Sequence, residues 1–107
     1  MNKIKEHIKI KIKNDLEQFT LDCAHGINNT NIHEYLITPV KEKYLNGIDS
    51  NKHFYLWTVL EEDPKDKKGY TIFYDEERND FGLGTHTNEG LIYLGNYGSF
   101  SETINSM

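Results

Sequence analysis

Five histidines, one cysteine and two runs of carboxylates are the residues of this 107-residue chain whose types suit chemistry. The carboxylates cluster as Glu61-Glu62-Asp63 and as Asp75-Glu76-Glu77, with Asp80 close behind. Such groups act as general acids or bases when burial raises their pKa. In polar turns they stay solvated and ionised, and then form a patch that attracts a basic partner. The turn-like surroundings of both runs favour a plain solvated face or a docking patch over catalysis. No two of His7, His25, His33, His53 and His86 have the spacing of a helical zinc motif, and a lone cysteine cannot supply a thiolate site, so no metal is expected. Cys23 and His25 invite a nucleophile–base dyad, but positions two apart on a helix do not face each other. His53 and His86, with a lysine, have the types needed for acid–base cleavage of RNA. Asp75 to Gly82 lacks the ligand alternation of a calcium loop, and Arg78 would oppose a cation there. Gly82-Leu83-Gly84 lacks the third glycine of a dinucleotide fingerprint, and no phosphate loop occurs, so no cofactor is expected.

The elements that must position these groups divide the chain into two halves. Ile4, Ile8, Ile12, Leu16 and Phe19 recur every three or four residues, which predicts an N-terminal helix. His7 to Lys13 also alternates strictly, as a strand would, and Asn14 or Asp15 could cap a shorter helix. Gly26 is a helix stop. Asn31 caps a second helix carrying Ile32, Tyr35 and Leu36; Pro39 disturbs it or opens another with Val40, Tyr44 and Leu45, ended by Gly47. The second half predicts strands near 53–62, 70–74, 81–85 and 90–94, rich in aromatic and β-branched residues and joined by polar turns. The two acidic runs then fall at opposite ends of the second of these strands. Ser99 and Glu102 have the offset of a capping box before a last short helix. The expected fold is a single α+β domain over residues 1–107, with N-terminal helices packed on a four-stranded antiparallel meander. The uncovered sheet face, or an edge, remains for a partner.

Charge narrows the partners. The chain has 12 basic and 17 acidic residues, net −5. Residues 1–13 hold five lysines against Glu6, so the remainder has 7 basic and 16 acidic residues, net −9. A body this acidic repels nucleic acid, which argues against an RNA-cleaving enzyme, and favours basic proteins. No apolar run approaches a membrane span, and a single cysteine suits a reducing compartment, so a cytoplasmic protein without membrane contact is expected. Aromatics crowd the strand half. Alternation puts Phe54, Leu56 and Thr58 on one face and Tyr55, Trp57 and Val59 on the other. One set is core; the other is covered by helices or forms an exposed surface of the kind enriched at protein interfaces.

The run Trp57-Thr58-Val59-Leu60-Glu61-Glu62, then Gly69 to Glu77, then Phe81-Gly82-Leu83-Gly84, and the ending Tyr93-Leu94-Gly95-Asn96-Tyr97-Gly98-Ser99-Phe100, resemble immunity proteins of bacterial contact-dependent growth inhibition and related polymorphic toxin systems. The likeness covers residues 53–107, and is strongest to those paired with ribonuclease toxins. It implies a non-catalytic protein that binds the C-terminal domain of one cognate toxin, a basic nuclease, and blocks its active site. An acidic inhibitor can imitate the nucleic acid in a phosphate-binding cleft. The candidate contacts are Glu61, Glu62, Asp63, Asp75, Glu76, Glu77 and Asp80 as a charge patch, with Tyr70 and Tyr74 as aromatic anchors. An acidic adaptor of some other complex fits the same composition.

Overall fold

The structure is a computed structural model that describes residues 3–22, 25–49 and 51–107. It is α+β, with two α-helices and five strands. Helix α1 (Lys3–Gln18) leads through a short 3-10 turn (Ile32–Glu34) into β1 (Leu36–Asn46), β2 (His53–Asp63), β3 (Lys68–Asp75), β4 (Asp80–Thr87) and β5 (Gly90–Gly98). Helix α2 (Phe100–Asn105) closes the chain. Consecutive strands pair antiparallel, and β1 returns to β5 through a parallel seam of three pairs, Tyr44 to Leu91, Leu45 to Ile92 and Asn46 to Tyr93. The sheet is therefore a closed barrel. Among the described residues no helix is long and apolar enough to cross a membrane.

Period decides the first element. As a strand, Ile8, Ile10 and Ile12 would share a face; as a helix, Ile10 turns away. Ile8 and Ile12 are buried, whereas Ile10 is 56% exposed, and Ile4 and Leu16 extend the same helical stripe. Neither Asn14 nor Asp15 begins a shorter helix. The Asp15 carboxylate instead accepts the Ser101 amide at 2.6 Å, tying α1 to α2. Ser99 caps α2 as expected: its hydroxyl accepts from the Glu102 amide at 3.2 Å, and the Glu102 carboxylate reaches back to the Ser99 amide.

Two expectations are corrected. The segment 36–46 is a fifth strand and not a helix, so the N-terminal helix is single. Tyr35, Leu36, Val40 and Tyr44 imitate helical spacing, but Ile37-Thr38-Pro39-Val40 suits an extended chain. Pro39 sits where the pairing of β1 with β2 slips between Leu36 and Val40, a position at which a missing amide hydrogen is tolerated. The second correction concerns the far face of the sheet, which does not lie in water. The sheet curls until that face lines the barrel.

Two cores result. The larger lies outside the barrel, where Trp57, Val59, Leu60, Ile72, Tyr74, Phe81 and Leu83 meet Ile8 and Ile12 of α1 and Phe100 and Ile104 of α2. The smaller lies inside, built on Tyr44, Leu56, Phe73 and Leu91 with Tyr93 packed against them. The alternation read from Phe54 to Val59 holds, since Leu56 falls inside and Trp57 and Val59 outside. Two of the inward positions of β4 are Gly82 and Gly84, and packing explains both. A Cβ on Gly82 would lie 2.3 Å from the Phe73 ring and 2.4 Å from the Gly95 carbonyl; one on Gly84 would lie 2.5 Å from the Tyr44 ring.

Candidate functional site

The strand β3 separates the acidic runs. Glu61 to Asp63 closes β2 at one end of the barrel, and Asp75 to Asp80 forms the β3–β4 turn at the other. Seven steps of extended chain put roughly 23 Å between them. They are two ends, as their order along the chain predicts, and cannot act as one patch.

At the first end the carboxylates are consumed by structure. Glu61 is 2% exposed and points into the barrel. One oxygen accepts from Lys67 Nζ at 2.6 Å and the other meets His86 Nε2 at 2.8 Å. The ion pair with Glu61 raises the Lys67 pKa, chiefly through that hydrogen bond. Lys67 reaches inward from a left-handed backbone position in the β2–β3 turn. Glu62 pairs with His25 and accepts the Tyr70 amide at 3.0 Å, and Asp63 accepts the Asp66 amide at 3.1 Å to fold the turn. Glu61 and His86 lie twenty-five residues apart along the chain, and the barrel unites them. Their types allow acid–base chemistry, but both Glu61 oxygens are engaged and its burial leaves a substrate no approach. Deeper in the barrel the Tyr44 hydroxyl bonds Thr58 at 2.7 Å and Thr71 at 3.0 Å. Burial, reinforced by Glu42 and Glu61, pushes the Tyr44 phenol far above its ordinary range despite those two hydrogen bonds.

The second end presents its charge. Asp75 accepts the Glu77 amide at 3.1 Å and the Arg78 amide at 3.2 Å, and Asn79 takes the left-handed conformation that completes the turn. The Asn96 amide clamps Asp75 at 3.2 Å and Asp80 at 2.6 Å. Trp57 Nε1 donates to Glu76 at 3.2 Å. Glu76 and Glu77 are exposed, and Glu77 has no side-chain partner among the described residues. The negative field is felt beneath the turn: burial first, then Glu76, Asp75 and Asp80, raise the Tyr74 pKa, and burial with Asp75 and Asp80 raises that of Tyr93 against the lowering effect of Arg78.

Beside this turn runs a groove of about 600 Å³ lined by Asp75, Glu76 and Glu77 and by His53, Phe54 and Tyr55 of β2. Tyr55 is 60% exposed and Phe54 37%. His53 packs edge-on against Tyr55, with ring centroids 5.3 Å apart, and Phe54 packs on Tyr93 at 4.7 Å. Lys41, also in the lining, sits 5.8 Å from the Trp57 ring centroid.

The expected anchors are corrected accordingly. Tyr74 is 2% exposed, with its hydroxyl bonded to Asn79, so it belongs to the outer core. Tyr70 is half-buried at the opposite end of β3, edge-on to His25. Glu61 leaves the patch because it is buried. Phe54 and Tyr55 are the exposed aromatics beside the turn; the signal for them was aromatic residues at the start of a strand. His53 and His86 lie at opposite ends of the barrel and do not meet. The Cys23–His25 dyad falls on Cys23, which lies outside the described residues. No group of three metal-ligating side chains occurs among the described residues. Comparison with known family models, curated proteins and solved structures finds no match to the chain.

Proposed function

We propose that the chain is an immunity protein that binds the C-terminal domain of a cognate toxin, a basic nuclease and most simply a ribonuclease, and covers its active site. The observation that carries this reading is the aromatic groove beside the Asp75–Asp80 turn. A stable interface needs a few large side chains that anchor it and charge that steers the encounter. Tyr55 and Phe54 are the anchors, and Glu76, Glu77 and the clamped Asp75 and Asp80 supply the charge. The turn is braced by Asn96 and Trp57, so little conformational entropy is lost when a partner docks. A cleft built for phosphates would meet carboxylates in place of its substrate. The motifs of residues 53–107 that resemble immunity proteins contribute the strands and turn that build this surface.

The test is co-expression with the toxin domain encoded immediately upstream, scored by growth and co-purification. Rescue with a one-to-one complex and blocked RNA cleavage supports the reading. A folded protein that neither rescues nor binds overturns it. Within a complex, Tyr55→Ala should weaken binding by about 2 kcal/mol or more, mainly in the dissociation rate. Glu76→Lys with Glu77→Lys should slow association and reduce its dependence on salt.

A further inference from the structure

The charge of the molecule is segregated. Helix α1 and strand β1 carry seven of the twelve basic residues and only four of the seventeen acidic ones. The remainder, with five basic against thirteen acidic, has a net charge of −8. The basic side holds a second groove, of about 620 Å³, between α1 and the start of β1. From α1 come the apolar Ile12 and Leu16 and the cations Lys9 and Lys13, one helical turn apart. Glu17 is the carboxylate among its lining residues.

Four consecutive residues of β1, Leu36, Ile37, Thr38 and Pro39, line the same groove. These four residues span the place where the ladder to β2 slips, so the groove follows a stretch of β1 main chain that regular pairing does not occupy. The other edge of β1 is open. β1 pairs with β2 at Leu36 and again from Val40 to Leu45, with a slip at Ile37, Thr38 and Pro39 between, and with β5 only at Tyr44, Leu45 and Asn46. Among the described residues nothing pairs with the earlier part of β1 on that side. An unpaired strand edge is a template for another strand, which natural proteins restrict with charge and proline. Here the restriction is selective: Lys9 and Lys13 in the lining, with Lys43 further along β1, repel a basic segment and attract an acidic one.

We propose that this groove binds an extended acidic segment of a partner protein, which adds to the free edge of β1 with its carboxylates on Lys9 and Lys13 and an apolar side chain on Ile12 and Leu16. Main-chain pairing supplies the affinity of such a mode, and the alternate side chains its specificity. Among the described residues neither Lys9 nor Lys13 has an ion-pair partner, so both ammonium groups are available. The apolar floor and free main chain favour a peptide over a nucleic acid, which would need stacking rings in place of Ile12 and Leu16. The site is independent of the acidic groove at the barrel's other side.

The experiment titrates the intact protein with a short synthetic peptide alternating Glu and Val, read by anisotropy and by amide resonance changes. The controls are a Lys–Val peptide, a backbone N-methylated Glu–Val peptide and oligouridylate. Saturable binding of the Glu–Val peptide alone, with changes centred on residues 36–43, is the expected result. Lys9→Glu with Lys13→Glu should weaken it by roughly ten-fold or more. Lys9→Gln with Lys13→Gln serves if the reversal disturbs folding, and Glu76→Lys with Glu77→Lys should leave the peptide's affinity unchanged. Absence of saturable binding overturns the proposal. So does equal affinity for the N-methylated peptide, which excludes strand addition, or for oligouridylate, which makes the basic side a general polyanion surface.

Discussion

The two faces of one sheet are built by opposite rules. Outward, β2 to β4 present Trp57, Val59, Leu60, Ile72, Tyr74, Phe81 and Leu83 to two helices, and stability comes from apolar area. Inward, the same strands present Thr58, Glu61, Thr71 and two glycines around Tyr44 and Phe73, and each polar atom is matched to a partner. Among the described residues no buried side-chain nitrogen or oxygen is left without one. The outer face depends on filled volume, and the inner face has room for neither an unmatched hydroxyl nor an extra methyl group.

Mutations on each face separate the two rules. The largest loss should follow Phe100→Ala, which opens a cavity where α2 meets Phe81 and should cost about 3–5 kcal/mol in denaturant unfolding. Next comes Gly84→Ala, about 1–3 kcal/mol, because the added methyl strikes the Tyr44 ring and also lies 3.0 Å from the Ile92 carbonyl. A neutral result there would show that the interior is looser than its contacts imply. Glu61→Ala should cost about 1–3 kcal/mol, below the usual loss for a fully buried ion pair. Lys67 is 61% exposed and returns to water once its partner is gone.

The smallest effect at neutral pH, about 1 kcal/mol, belongs to Tyr44→Phe, which leaves Thr58 and Thr71 without their shared partner. This variant sharpens the comparison in alkali. The folded pKa values of Tyr44, Tyr74 and Tyr93 are raised, so their contribution is complete below the ordinary tyrosine pKa of about 10 and is lost as pH climbs through the folded values. Stability should fall above about pH 10. Tyr44→Phe should flatten that fall, because one proton is removed from the linkage. A slope equal to that of the parent protein would mean that Tyr44 ionises without unfolding the barrel.

Legibility followed the same division. Much of the outer core could be read directly: the isoleucine stripe of α1, the strands β2 to β4 and the Ser99–Glu102 cap stand where periodicity and capping rules put them, whereas Ile32, Tyr35 and Leu36, expected on a second helix, reach the same core from a 3-10 turn and the start of β1. β1 could not, because its inward side faces a polar interior. Val40, Glu42 and Tyr44 alternate with Lys41 and Lys43, and a charged residue on the inward row erases the contrast on which a period of two depends. Helical spacing from Tyr35 to Tyr44 then filled the gap. The acidic runs were legible as charge but not as roles, since nothing local distinguishes Glu61, drawn inside by His86 twenty-five residues on, from Glu77, which stays in water. Phe54 and Tyr55 could be identified as aromatic; their exposure depended on their place at the start of β2, where the inner and outer cores both run out.

The three-pair parallel seam gives the cylinder a place to come apart. Its partners lie 47 residues apart along the chain, while every other strand pairs with its immediate neighbour through a turn. Contacts of such long sequence separation form late in folding, so the meander should assemble first as an open ribbon and latch afterwards. In the finished molecule the latch is also the shortest ladder. Amide hydrogens of Leu45 and Tyr93 should therefore exchange with solvent sooner than those of β3, through partial unlatching that leaves the helix-backed wall intact.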